Sequence, residues 1–163
     1  ECIEQFFIPL NGDLDKYEML KCIFEKISIT QCIIYVNDVN RVQELTDAMT
    51  KDGFPVCCIH GSCSRSERDD TLHNFRNGKF RVLISSNVTA RGIDIQQIGI
   101  VINFDVPKNV NTYLHRIGRS GRWGRKGKAI NFVTKYDVYH MRKIENHYKI
   151  SINQLNPEIS INL

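Results

Sequence analysis

Arginine recurs at every third position from Arg116 through Arg119 and Arg122 to Arg125, and Gly118, Gly121, Gly124 and Gly127 are interleaved with it. A guanidinium is a planar fork that matches phosphate oxygens, where a lysine offers only a point charge. Glycines let the backbone approach a ligand closely. Residues 116–128 also carry Lys126 and Lys128 and contain no acid. Composition alone is equally consistent with a solvated basic face and with a phosphate-facing surface. The stakes are unequal. An arginine delivered to a transferring phosphoryl group is worth ~10³–10⁵ in rate, or about 4–7 kcal/mol. The same residue in a surface salt bridge gives ~0–1 kcal/mol.

The partner chemistry for such a loop is missing from the sequence. A triphosphate is usually cradled by G-x-x-x-x-G-K-[ST], but Gly78-Lys79 is followed by Phe80 and Gly127-Lys128 by Ala129. No acidic box follows an apolar strand to hold magnesium, and no G-x-G-x-x-G follows a first strand. The expectation is that these arginines act on a nucleotide held by another domain, and that this chain contributes no metal site.

The elements that must position the loop alternate. Apolar runs predict strands over 3–10, 31–36, 55–59, 81–85, 98–104 and 128–133. Helical spacing predicts helices over 14–27, with Leu14, Tyr17, Leu20 and Ile23 inward, and over 39–52, with Val42, Leu45 and Met49 inward. Further helices are expected over 65–77, 109–117 and 135–149. Ser64 and Glu67 are spaced as a capping box for the third helix. Tyr136, Tyr139, Met141 and Ile144 read as core and boundary of the last one, and the tail from Ser151 is polar and weakly patterned. Alternation of this kind implies an α/β fold with a mainly parallel sheet and helices packed on it. Ligands then bind beyond the carboxyl ends of strands. The expected chemical loops are 37–41, 60–65, 86–96, 105–109 and 118–127.

The run HRIGRSGR (115–122) resembles motif VI of the DEAD-box RNA helicases. The likeness continues through ITQCIIYVN (29–37, motif IV with its lead-in), HGS…SERDDTLHNFRNGKFRVLIS (60–85, motif IVa toward V), ARGID (90–94, motif V) and GRWGRKGKAINFV (121–133). Several linked motifs in order make it specific, and the translation initiation factor 4A group is the most similar. The resemblance implies a RecA-like three-layer α/β/α domain, the second half of a two-domain ATP-dependent helicase. By similarity, Arg119 and Arg122 reach the γ-phosphate of ATP with Mg²⁺, held mainly by the absent N-terminal RecA-like domain. His115 and Arg116 tie motif VI to the closed interface. Asp94 meets the ribose hydroxyls, and Gly92 lets the backbone turn near the nucleotide. RNA backbone contacts, largely sequence-independent, fall to Arg68, Ser86, Gly61 and Asn37. Each also has a plainer role: Asn37 as the cap of the next helix, Gly61 as a turn, Arg68 paired with Glu67 or Asp69, Asp94 as a turn cap and His115 as a core histidine. Arg125, Lys126 and Lys128 read as solvated, and Trp123 as packed beside the loop. The chain departs from the family pattern at Asp38, Ser62, Arg65, Ser86 and Asn87, where Thr, Asp, Gln, Thr and Asp are frequent. A second reading makes the domain a docking module for a helical-repeat scaffold protein.

Bulk properties agree with one domain. The chain has 163 residues, 42% of them apolar and 25% charged, with a net charge of +4, which is enough to bury a core. No apolar run approaches the ~18 residues of a membrane span. The six cysteines include the adjacent Cys57 and Cys58 but no C-x-x-C pair. They read as free thiols of a reducing intracellular compartment, cytoplasmic or nuclear. Asn87-Val88-Thr89 is then a chance glycosylation match. The opening strand-like run, with no basic leader, is expected to be a cut from a longer protein.

Overall fold

The computed structural model describes residues 3–26, 31–87, 98–118 and 127–156. The strands are β1 (Ile3–Pro9), β2 (Cys32–Tyr35), β3 (Val56–Ile59), β4 (Val82–Ser85), β5 (Ile100–Asn103), β6 (Gly127–Val133) and β7 (Asn153–Gln154). The helices are α1 (Asp13–Lys26), α2 (Val39–Lys51), α3 (Arg65–Arg76), α4 (Val110–Ile117) and α5 (Val138–Tyr148). The strands form a single sheet in the order β3-β4-β2-β5-β6-β1-β7, and every pairing is parallel.

Residue parity along each strand sorts side chains to two faces. Cys32, Ile34, Val82, Ile84, Ile100, Ile102, Ile130 and Phe132 point to one face, where Leu20 and Ile23 of α1 and Val42, Leu45 and Met49 of α2 cover them. On the other face, α3 sets Leu72 and Phe75 against Ile33, Tyr35, Leu83 and Val101. Farther along that face, Tyr113 and Ile117 of α4 and Met141 and Ile144 of α5 cover Ala129 and Val133. The expected three-layer RecA-like architecture is present, with the sheet parallel throughout its described strands.

Three local differences matter. Leu14 is 74% exposed while Lys16 is 4% exposed, the reverse of the apolar spacing, because Lys16 turns inward to a buried carboxylate. The expected polar tail adds β7: Ile152 and Leu155 are buried, the Leu155 N–H donates to the Phe7 carbonyl at 2.9 Å, and the Ile152 N–H donates to Glu145 Oε2 at 2.7 Å. Residues 118–127 do not follow a strand. They follow α4 and lead into β6, so that loop joins the sheet at the edge where strands begin.

Candidate nucleotide and nucleic-acid interface

Because the strands are parallel, β3, β4 and β2 end on one edge, and their ends are stitched together. The Val36 N–H donates to the Ser85 carbonyl at 3.0 Å, the Ser86 N–H to the Ile59 carbonyl at 3.3 Å, and the Phe104 N–H to the Tyr35 carbonyl at 3.0 Å. This carboxyl edge gathers the four residues expected to meet RNA. Gly61 is exposed in the turn after β3. Arg68 lies on the first turns of α3, whose start is fixed by the expected capping box: the Glu67 N–H donates to Ser64 Oγ at 3.0 Å and the Ser64 N–H to Glu67 Oε1 at 2.7 Å. The Arg68 ion pair with Glu67 or Asp69 is not formed, and its Nε is buried without a hydrogen-bond partner. Ser86 is buried at the end of β4. Asn37 does not cap α2. Asp38 does, accepting from the Arg41 N–H at 3.0 Å, while Asn37 Nδ2 donates to the Val106 carbonyl at 3.1 Å.

Arg116 is the residue whose place is least expected. It is fully buried. Side chains on a helix lean toward its N-terminus, and the Arg116 side chain runs back to the carboxyl edge. Its Nη1 donates to Asn103 Oδ1 at 3.1 Å and to the Asp105 carbonyl at 2.7 Å. Its Nη2 donates to Asn37 Oδ1 at 2.8 Å and, with Nε, to Asn87 Oδ1. The guanidinium lies 5.2 Å from the Tyr35 ring. Burial pushes its pKa down to about 10, so it is still charged at neutral pH. His115, one residue earlier, is exposed. Arg119, Arg122, Arg125, Lys126, Trp123, Asp94 and Gly92 lie outside the described residues. Before Arg119, α4 closes at Gly118, whose N–H donates to the Leu114 carbonyl at 2.9 Å. A Cβ on Gly118 would stand 3.1 Å from that carbonyl oxygen, so a bare α-carbon suits the tight exit toward the arginines.

Sequence reasoning missed the support beneath this edge. Asn103 Nδ2 donates to Asn131 Oδ1 at 2.8 Å, and Asn131 Nδ2 donates to the Phe6 carbonyl at 3.0 Å. Tyr113 Oη donates to Gln5 Oε1 at 2.7 Å. With Arg116, these residues form a polar seam between the two apolar clusters on the α3–α5 face. A signal was present: Ile-Asn-Phe occurs at 102–104 and again at 130–132, and the two asparagines are register partners.

Also missed was a buried ionic cluster. Asp105, 6% exposed, accepts from Lys16 Nζ at 3.2 Å, from Arg41 Nε and Nη2 at 2.6 Å each, and from the Asn37 N–H at 2.9 Å. Arg41 also reaches Asp13 at 2.8 and 3.0 Å. Burial alone would raise the Asp105 carboxyl. The hydrogen bonds from Arg41 and the Asn37 N–H, with the charges of Lys16 and Arg41, outweigh it and hold the group below its ordinary value. The hydrogen bond from Arg41 likewise lowers Asp13. Among the described residues, no cluster of three or more His, Cys, Asp or Glu could hold a metal ion.

The family model of the helicase conserved C-terminal domain matches residues 15–124. The ATP-dependent RNA helicase FAL1 of Kluyveromyces lactis is 45% identical over 152 residues, covering 93% of this chain and 38% of the relative. Eukaryotic initiation factor 4A of Caenorhabditis elegans is 44% identical over 160 residues, covering 98% and 40%. The chain thus spans about two fifths of the length of these relatives. Among solved structures, the C-terminal domain of the DEAD-box protein Dbp5 superposes with a TM-score of 0.86 at 34% identity, covering 94% of this chain and 89% of that one. Dbp5 of S. cerevisiae bound to RNA and ADP BeF3 gives 0.89 at 33% identity, covering 96% and 42%. An arginine helix anchored to the strand ends of a parallel RecA-like sheet, in a chain this similar to these proteins over nearly its whole length, places it among the DEAD-box RNA helicases, as a helicase C-terminal domain.

Proposed function

We propose that this domain is the second half of an ATP-dependent RNA helicase core. The carrying observation is the shared edge: Asn37, Ser86, Gly61 and Arg68 gather at the carboxyl ends of β2, β4 and β3, and Arg116 binds α4 to that same edge. RNA backbone crosses the edge, where the buried, unpartnered Arg68 Nε belongs to a guanidinium suited to a phosphate. Arg119 and Arg122, immediately after α4, meet the γ-phosphate of ATP held by an N-terminal RecA-like domain, and Asp94 and Gly92 lie against its ribose side. Mg²⁺ bound with that ATP would be held by the N-terminal domain and would supply charge neutralisation at the phosphates. Closing the two domains on single-stranded RNA completes the site, and phosphate loss reopens it. The recognised features are backbone and 2′-OH, so RNA sequence matters little. A reducing compartment, cytoplasm or nucleus, suits the free thiols.

In the full-length protein, Arg122→Ala is expected to abolish RNA-stimulated ATP hydrolysis while ATP binding by equilibrium titration stays within about twofold, an interaction made only in the transition state. Wild-type turnover would sink the assignment. The 163-residue chain alone is expected to show no ATPase.

A second reading, docking of a helical-repeat scaffold, draws on apolar side chains left outside the core. Tyr136 and Tyr139, expected at core or boundary, are 76% and 70% exposed. The structure of SrmB bound to RraA shows that a related protein takes a protein partner. RNA crosslinking that depends on a non-hydrolysable ATP analogue favours the helicase, and crosslinking indifferent to it favours the scaffold.

A further inference from the structure

The seam around Arg116 contains a buried positive charge that no carboxylate among the described residues contacts directly, although the nearby Asp105 charge favours it. Among the described residues Arg116 forms no ion pair, and each of its acceptors is neutral: the side-chain oxygens of Asn37, Asn87 and Asn103 and the carbonyls of Val36 and Asp105. Asp105 is the adjacent acid, but its carboxylate is turned to Lys16, Arg41 and the Asn37 N–H. It hydrogen-bonds Arg116 only through its backbone oxygen. A guanidinium removed from water depends on every acceptor it has, because each lost bond leaves a buried charged donor unsatisfied.

One acceptor differs from the rest. Asn37, Asn103 and the two carbonyls belong to the ends of β2 and β5 and their following residues. Asn87 comes just after β4, next to Ser86, and its Oδ1 alone among these takes two guanidinium nitrogens, Nε at 3.1 Å and Nη2. The residue as a whole is exposed, and its contact with the guanidinium is part-buried. Asn87 Oδ1 is therefore the direct link between the strand end next to the RNA-side serine and the helix that runs into the arginines.

We infer that Asn87 is a positioning residue, which acts through Arg116 to hold α4, the helix that precedes the arginine run in sequence, in fixed relation to the end of β4. This rests on the proposed helicase function. The amide supplies an acceptor without a charge. A carboxylate of the same shape would face the same two nitrogens and bind them more tightly, as charge-assisted bonds do. An alanine would remove the link and leave the other acceptors in place.

The test uses Asn87→Ala and Asn87→Asp in the full-length protein, with RNA-stimulated ATP turnover, the KM for ATP and the thermal midpoint measured for each. Asn87→Ala is expected to lower kcat at least about tenfold, toward the ~10²-fold cost of an ångström of misplacement. Its KM for ATP stays within about twofold, since uniform binding is untouched, and its midpoint falls. Asn87→Asp is expected to restore kcat to within about twofold of wild type and to raise the midpoint above it. A kcat for Asn87→Ala equal to wild type overturns the inference, as does a lowered midpoint with unchanged kcat, which would make the role structural only. Failure of Asn87→Asp to rescue also overturns it. If wild-type protein shows no RNA-stimulated turnover, the helicase reading fails, and the order of midpoints, Asp above Asn above Ala, still decides whether the link exists.

Discussion

Asp105 holds two cations that approach it from different helices, Lys16 on α1 and Arg41 on α2, and it also accepts the Asn37 N–H. Removing one partner of a buried pair leaves the other charge uncompensated, at a cost of about 3–5 kcal/mol. Asp105→Ala is expected to destabilise by that order in urea unfolding, and Lys16→Met combined with it is expected to recover part of the loss. The pH dependence has a definite sign. Asp105 and Asp13 both titrate below their ordinary values in the folded state. Their contribution is therefore fully present above the unfolded carboxylate value of ~3.9. It is lost as pH falls through the lower folded value. Urea midpoints measured from pH 6 downward should drop steeply below about pH 4. Asp105→Asn should flatten that acid limb, and an unchanged limb would remove Asp105 from its cause.

At the scale of elements, α3 carries the clearest local signature. Ser64 and Glu67 close a reciprocal pair of bonds at its start. Ser64→Ala is expected to cost ~1 kcal/mol, read as a shift in denaturant midpoint. It should also loosen the turn that bears Gly61. That capping box, the helix periodicity of α2 and the continuous apolar runs of β2, β4 and β5 were legible in the sequence because each depends on neighbours a few residues away. The carboxyl-edge grouping of Asn37, Gly61 and Ser86 followed from the alternation of strand and helix. What was not legible depends on partners distant in sequence. Lys16 turns inward for Asp105, Asn103 is buried because Asn131 lies beside it, and β7 exists because Phe7 offers its carbonyl. Arg116 read as an interface arginine because the run HRIGRSGR resembles motif VI. Its burial follows from lying on α4 rather than in the loop that comes after.

For the molecule as a whole, the thiols report on integrity. Burial pushes the Cys57 thiol up to about 12 and the Cys32 thiol higher still, so neither forms a reactive thiolate at neutral pH. Among the described residues, Cys22, Cys58 and Cys63 are partly exposed and free. A thiol-reactive chromophore at pH 8 is expected to leave Cys32 and Cys57 unmodified in native protein and to reach them only on unfolding, with a rate that follows opening of the sheet. Fast modification of Cys32 under native conditions would contradict the packing of β2 at the centre of the fold.

The position of β1 bears on how such a protein is made. It is the first of the described strands of this domain, yet its two neighbours are β6 and β7, with Ile3 in register with Gly127 and Phe6 with Asn153. A ribosome delivers residues in order, so this strand emerges with both edges bare and stays so until most of the domain has been synthesised. Five of its seven residues, Ile3, Phe6, Phe7, Ile8 and Pro9, are apolar, and an exposed edge of that kind recruits other strands. Its partners are the last two described strands of this domain to emerge, and the interval before then is when the domain has most need of a chaperone.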